Sequence, residues 1–173
     1  SMFNYKIQEH KGRNGNIGDG GQCDNVFLCR RINGGSPTIK KGAFVAIKEA
    51  KYDEVNDRKK NFLLNEAKIT MPLNHPNIVR CHGNFYENGK LYTIFGYIAG
   101  GNLLDYLHNL KQLKQRVSNL VVCNIMEQLL RAIAYLCEKR VLQRDLKIEN
   151  VMYNEETGVV VIVDFGYARK LTK

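Results

Sequence analysis

Arg144-Asp145-Leu146-Lys147-Ile148-Glu149-Asn150, followed by Asp164-Phe165-Gly166, decides how this 173-residue chain is read. The first stretch is a charged loop between a long, apolar-striped segment and a short strand. Asp145 and Asn150 lie too far apart in sequence for one strand face, but they suit the two ends of a loop. A carboxylate and an amide converging there fit proton acceptance and cation binding. A solvated turn capped by Asp and Asn explains the same residues, and from this stretch alone the two readings stand level. Asp164 follows the run Val159–Val163, four valines and one isoleucine, which reads as a buried strand. A carboxylate at the end of such a strand, just before a flexible glycine, is a metal-ligand arrangement or equally a helix N-cap.

Upstream of the loop, Ser118–Glu138 carries Val121, Ile125, Leu129, Ile133 and Leu136 at helical spacing, and Leu103–Leu113 is a shorter helix. Before Gly100-Gly101 the character changes to strands. Phe3, Tyr5 and Ile7 alternate with polar residues, Val26–Cys29 is a second strand, and Phe44–Ile47 is apolar enough to be central. Ile78–Tyr86 and Leu91–Ile98 are strands joined by Glu87-Asn88-Gly89-Lys90, a hairpin turn. Asn33–Pro37 is a turn. Asp57–Met71 reads as a helix with Phe62, Leu63 and Ile69 on its apolar stripe, ended by Pro72. Lys11–Gly21 holds five glycines in eleven positions, which no regular element tolerates well. Lys48 closes the strand Val45-Ala46-Ile47. A lysine there is costly to bury alone, and Glu66, midway along the next helix, can supply its partner; an edge lysine in water is the plainer reading.

Composition narrows the classes. Apolar residues at 44% and charged residues at 25% are globular values. The net charge of +9 is spread along the chain, and no basic block alternates with aromatics, so no nucleic-acid partner is expected. Five cysteines (Cys23, Cys29, Cys81, Cys123, Cys137) form no Cys-x-x-Cys pair, which argues against zinc and against a disulfide framework. They read as reduced thiols of an intracellular protein, cytoplasmic or nuclear. Neither a signal-peptide pattern nor a run of ~18 apolar residues stands out, so no membrane association is expected. Ser1 and Met2 read as a tag-cleavage scar.

Taken in order, Lys48, Glu66, His75-Pro76-Asn77-Ile78-Val79, Arg144–Asn150 and Asp164–Gly166 resemble the signature set of the eukaryotic-type protein kinases, serine/threonine subgroup. Leu91–Leu103 looks like that family's fifth strand and hinge. The resemblance implies an α+β, bilobal fold: an antiparallel N-lobe sheet with one helix and the hinge over residues 1–98, and a partial, mainly helical C-lobe over 99–173. It implies that Lys48 pairs with the α- and β-phosphates of ATP and with Glu66, and that Asn150 and Asp164 hold Mg2+. Asp145 would accept the proton of a serine or threonine hydroxyl on a protein substrate, with Lys147 near the γ-phosphate. Phe95 would be the gatekeeper, and Gly96, Tyr97 and Ile98 the hinge. Val26 and Ala46 would pack on adenine from one side and Met152 from the other, with Ile17, Gly18, Gly20 and Gly21 in the phosphate-covering loop.

The sequence departs from the family pattern in four places. In the glycine loop, Cys23 takes the third glycine's place and Asn25 the valine's, so Val26 falls one position late. Gln143 replaces the histidine before Arg144-Asp145. That histidine normally stacks in an apolar column, Thr70 falls where the family places another apolar member of the column, and two polar residues in it are expected to weaken the active arrangement. The chain also stops at Lys173, before the elements that complete such a domain, so the long helix is expected to expose an apolar face unless a partner covers it. These departures support an alternative, a nucleotide-binding pseudokinase or scaffold. The full set Lys48, Glu66, Asp145, Asn150 and Asp164 favours an ATP-dependent protein kinase.

Overall fold

The computed structural model describes residues 1–8, 16–18, 25–33 and 38–172. The chain divides into two compact units, residues 1–71 with 80–97, and residues 72–79 with 98–173.

In the first unit, strands β1 (Tyr5–Ile7), β2 (Asn16–Gly18), β3 (Asn25–Arg31), β4 (Phe44–Lys51), β5 (Cys81–Glu87) and β6 (Lys90–Gly96) form one antiparallel sheet. The order is β1-β3-β4-β6-β5, and β2 also pairs with β3. Alternation sets which side each residue faces. Cys29, Val45, Ile47, Tyr92 and Ile94 lie on one side, in a core cluster with Ile39. Residues paired with their neighbours in sequence, Val26 with Lys48, Leu28 with Ala46 and Ala46 with Phe95, occupy the other. The turn between β5 and β6 places Asn88 (φ 51°) and Gly89 (φ 76°) in the left-handed region, as a tight hairpin requires.

Helix α1 (Asp57–Thr70) starts at Asn56, whose side chain accepts from the Lys59 N–H, with Asp57 in the first turn. Its Leu63 packs with Ala50 and Leu91, which ties the helix to β4 and β6.

The second unit contains β7 (Gly101–Asn102), α2 (Leu103–Gln112), α3 (Asn119–Glu138), β8 (Val141–Leu142), β9 (Val151–Asn154), β10 (Val159–Ile162) and β11 (Arg169–Lys170). Asn102 caps α2 and Ser118 caps α3. Leu103, Ile125, Val151, Tyr153 and Val160 form its core.

Two expectations need correction. Ile78 and Val79 do not begin the strand before the hairpin, and residues 72–79 do not belong with the first hundred. Ile78 bridges Ile162, the Val79 N–H donates to the Ile162 carbonyl (2.9 Å), and the Ile162 N–H donates to the Asn77 carbonyl (2.9 Å). Asn77, buried, donates from Nδ2 to Gln128 Oε1 and to the Val160 carbonyl, both at 2.7 Å. This segment is therefore anchored on α3 and β10.

The expectation that no segment has the length and apolarity of a membrane span also fails, because α3 meets that test by length and composition. Its inner face packs Ile125, Ala132 and Leu136 within the fold. Its Gln128 side chain holds the Gly158 carbonyl and the Val160 N–H. Leu120, Met126 and Leu130 on the same helix are exposed.

Candidate functional site

The residues singled out from the sequence fall into two groups, one in each unit. In the first, Lys48 at the middle of β4 reaches Glu66 on α1, with Nζ 2.7 Å from Oε1. Their side chains are 21% and 11% exposed, so the pair is mostly withdrawn from water. The Lys48 ammonium also stands over the Phe95 ring, 5.3 Å from its centroid. Pleating puts Val26, Ala46, Lys48 and Phe95 on one sheet face, opposite the apolar core. Gly18 pairs with Val26, so Ile17 and Gly18 lead onto that edge. Val26 lies directly opposite Lys48, so the residue one position late in the sequence pattern holds the cross-strand place. Gly20, Gly21 and Cys23 lie outside the described residues. Gly96 ends β6, and Tyr97 closes the unit.

Beside this group stands His82, whose buried Nδ1 has no hydrogen-bond partner among the described residues. Burial, then Arg80 and Arg31, hold its pKa below the usual histidine value. Cys81 is also buried, and desolvation pushes its thiol up to about 11, which makes it an inert core residue.

In the second unit, the loop after β8 folds back on itself. Asn150 Nδ2 donates to the Asp145 carbonyl and to Asp145 Oδ2, both at 2.9 Å. Lys147 Nζ lies 3.0 Å from the same Oδ2. That hydrogen bond is the first cause of the raised Lys147 pKa, so the side chain stays cationic. A 3-10 turn at Ile148–Asn150 produces this geometry and leads directly into β9, which carries Met152. The Val163 N–H donates to the Asn150 carbonyl (2.9 Å) and fixes the loop against the end of β10.

Asp164 follows with φ 59°, a left-handed backbone that aspartate tolerates better than most residues. Its Oδ1 accepts from the Gly166 N–H (3.2 Å), and Phe165 is fully buried. Arg144, also left-handed at φ 66°, donates from Nε to the Tyr167 carbonyl (2.7 Å). Ile98 and Met152 are half-buried in this unit.

The two polar substitutions expected to weaken the arrangement are both satisfied. Thr70, fully buried, donates from Oγ1 to the Glu66 carbonyl one turn earlier. Gln143 donates from Nε2 to the Asp164 carbonyl (2.9 Å) and accepts from the Asp145 N–H (2.8 Å). Sequence reading missed this double engagement, and it missed Asn77 as an anchor. The available signal for Asn77 was a polar residue directly before Ile78-Val79.

The donor chemistry suits magnesium. Asn150 commits its amide nitrogen to Asp145, which leaves the oxygen as the atom for a cation, and Asp164 supplies a carboxylate. Among the described residues no cluster of three His, Cys, Asp or Glu could hold a metal ion by itself. An ion held by one or two protein oxygens completes its shell with phosphate oxygens and water.

Comparison with known proteins agrees with this geometry. The protein kinase domain family matches residues 13–173. The chain is 32% identical to NUAK family SNF1-like kinase 2 of Homo sapiens over 126 residues, 72% of this chain and 19% of that protein. It is 33% identical over 132 residues to serine/threonine-protein kinase ATG1c of Arabidopsis thaliana, 75% of this chain and 18% of that protein. With serine/threonine-protein kinase D1044.8 of Caenorhabditis elegans it shares 36% over 132 residues, 73% of this chain and 13% of the relative. The chain thus spans about a fifth of the length of the curated relatives it matches first. With a family match across most of its length and the motif residues gathered in two groups, the chain belongs to the protein kinase domain family, with an antiparallel sheet and helices in a partial kinase fold.

Proposed function

We propose that this chain carries the ATP-handling and phosphoryl-transfer groups of a serine/threonine protein kinase acting on hydroxyls of protein substrates. The observation that supports this best is the clamp on Asp145, whose Oδ2 is held by Asn150 Nδ2 and Lys147 Nζ. A carboxylate fixed in this way points in one direction and keeps an acceptor oxygen for the proton of an attacking hydroxyl. Lys147, cationic beside it, neutralises charge on a phosphoryl group brought near that hydroxyl. In the first unit, Glu66 fixes the Lys48 ammonium, so that the lysine meets phosphate oxygens without first reorganising. Val26 and Ala46 give the same face an apolar surface suited to a flat base, and Phe95 stands beside them.

Asn150 and Asp164 would hold Mg2+, which when bound screens the phosphate charge and orients the transferred group. The other expected contacts to nucleotide are Ile17, Gly18, Gly20, Gly21, Gly96, Tyr97, Ile98 and Met152. Lys147 in the loop after Arg144-Asp145 favours serine and threonine over tyrosine as acceptors.

The test is ATP binding by thermal shift with and without Mg2+, on the wild type, Lys48→Met and Asp164→Asn. Ligand at about 100 times its Kd stabilises by about 2.7 kcal/mol. That raises Tm by about 5–11 °C for a chain of this size. The expected result is a magnesium-dependent rise in the wild type that both substitutions abolish. No rise in folded wild-type protein would refute the reading.

A further inference from the structure

Glu49 is a buried carboxylate, 7% exposed, that the proposed mechanism leaves unused. It lies one residue past Lys48, so the pleat turns it to the apolar side of the sheet, in line with Val45 and Ile47. Three groups meet it there. Asn25 donates from Nδ2 to Glu49 Oε1 (3.1 Å), Lys90 Nζ lies 3.1 Å from the same oxygen, and the Tyr92 hydroxyl donates to the carboxylate. Burial first, then that bond, pushes the Tyr92 phenol up to about 12, so it stays a donor. The other end of the Asn25 amide is used as well, because its Oδ1 accepts from Asn16 Nδ2 (3.4 Å). A polar chain thus crosses neighbouring strands, from Asn16 on β2 through Asn25 on β3 and Glu49 on β4 to Tyr92 on β6. From this geometry we infer that Asn25 is a positioning residue for nucleotide: held between Asn16 and Glu49, it fixes the strand register that sets Val26 on the face of Lys48. The inference rests on the nucleotide role proposed above for that face, but the register itself can be read without nucleotide.

Three observations carry it. Asn25 stands opposite Glu49 and Val26 opposite Lys48, so turning the Asn25 side chain to the apolar side turns Val26 to the other. The pairing of β2 with β3 shifts between Asn16, opposite Phe27, and Gly18, opposite Val26. That irregularity takes up the position by which Val26 is late in the sequence pattern, and the Asn16–Asn25 bond lies beside it. A slip of one residue between β3 and β4 would exchange the two faces of β3. Asn25 would then leave Glu49, Val26 would leave the face of Lys48, and Phe27 would leave the apolar cluster against which it packs.

The chemistry of the residue matters as well. An asparagine amide presents a donor and an acceptor together, without titrating. An apolar residue at this position gives no instruction about the face, since Val26 beside it is apolar too. A buried carboxylate does give one, because a donor withdrawn from it is lost out of reach of water.

The test exchanges donor and acceptor while keeping the size of both side chains. Wild type is compared with Asn25→Asp, Glu49→Gln and the double variant at about pH 8, where the carboxylates are ionised. Asn25→Asp sets a second carboxylate against Glu49. The double variant restores a donor and an acceptor in reversed order, and Asn16 still donates. On the nucleotide-free 173-residue chain, NMR reads the register as the backbone nuclear Overhauser contact between Val26 and Lys48. ATP affinity with Mg2+ is measured on the same samples. In Asn25→Asp the contact should weaken and affinity should fall about tenfold, the equivalent of one lost hydrogen bond to a charged group. Glu49→Gln keeps an acceptor for Asn25, so it and the double variant should both keep the contact and bind ATP within about threefold of wild type.

A lower Tm in Asn25→Asp with contact and affinity unchanged overturns the inference, because Asn25 would then only stabilise the sheet. A double variant that stays as impaired as Asn25→Asp overturns it too. Should Asn25→Asp fail to fold, Asn25→Val removes both bonds without adding a charge, and an unchanged contact and affinity there overturn the inference equally. A wild type that binds no ATP refutes the site assignment instead, and the Val26–Lys48 contact across the variants still decides the register.

Discussion

Replacing Lys48 by methionine removes one half of the ion pair with Glu66 and leaves a carboxylate only 11% exposed without its lysine. Breaking a fully buried pair from one side costs about 3–5 kcal/mol, because the remaining charge is uncompensated. A fully exposed pair is worth about 0–1 kcal/mol. At 21% and 11% side-chain exposure, Lys48 and Glu66 lie between these limits and nearer the buried one. Lys48→Met should therefore destabilise the first unit by about 2 kcal/mol, a fall in Tm of about 4–8 °C. Glu66→Gln is milder, about 1 kcal/mol, because the amide oxygen still accepts from Nζ and Lys48 retains the Phe95 ring 5.3 Å away. The double variant strands neither charge. It should be more stable than the sum of the two single losses by about 1 kcal/mol. The assay is urea unfolding followed by circular dichroism for all four proteins. Strict additivity, or single variants within about 0.5 kcal/mol of wild type, would show that the pair is not a coupled element. The pre-ordered lysine in the proposed mechanism would then lose its physical basis.

Two further predictions concern backbone and pH. Gly100 has φ 102°, and a Cβ there would run into the Tyr153 carbonyl, so Gly100→Ala should destabilise the second unit by more than about 2 kcal/mol in the same assay. Gly83→Ala, also at positive φ (137°) but with nothing within 4 Å of its Cβ, should cost less. Burial lowers the pKa of both His75 and His82 below the usual 6.5; Arg131 adds to this at His75, and Arg80 and Arg31 add to it at His82. With the folded pKa depressed, the unfolded chain binds more protons below 6.5. Stability is thus complete above that pH and falls as pH drops through the folded values, so Tm should decline between about pH 7.5 and about pH 5.5. His82→Gln should flatten part of that slope, and a level Tm in the wild type would refute the assignment.

What the sequence disclosed depended on whether a residue's partner was another side chain or the backbone. The Lys48–Glu66 pair was legible because one charge placed in an apolar strand demands another, and few residues could answer. The Asn88-Gly89 hairpin was legible because two left-handed positions in a row restrict the residues that fit. The sheet face carrying Val26, Ala46, Lys48 and Phe95 follows from alternation once strand pairing is known. In contrast, Ile78 and Val79 are apolar on either assignment. Alternation cannot tell a strand of the first sheet from a bridge to Ile162, and the deciding contact is the Asn77 side chain on Gln128 and the Val160 carbonyl.

The same distinction explains why Thr70 and Gln143 looked like weaknesses. Measured by type, each puts a polar group where the family has an apolar or aromatic one, and an unsatisfied buried polar group costs about 1–3 kcal/mol. Their partners are the carbonyls of Glu66 and Asp164 and the N–H of Asp145, groups that every residue possesses and that no sequence pattern marks. Thr70 satisfies itself within its own helix, so its substitution is local. Gln143 reaches across two loops, and here its departure from the family pattern gains a consequence. A ring that packs in a column is replaced by an amide that bonds at both ends, so what this site loses in apolar contact it recovers in a direct link between Asp145 and Asp164. Polar residues in that column do not by themselves argue for an inactive relative, because what decides the matter is whether the buried group is satisfied, and both are.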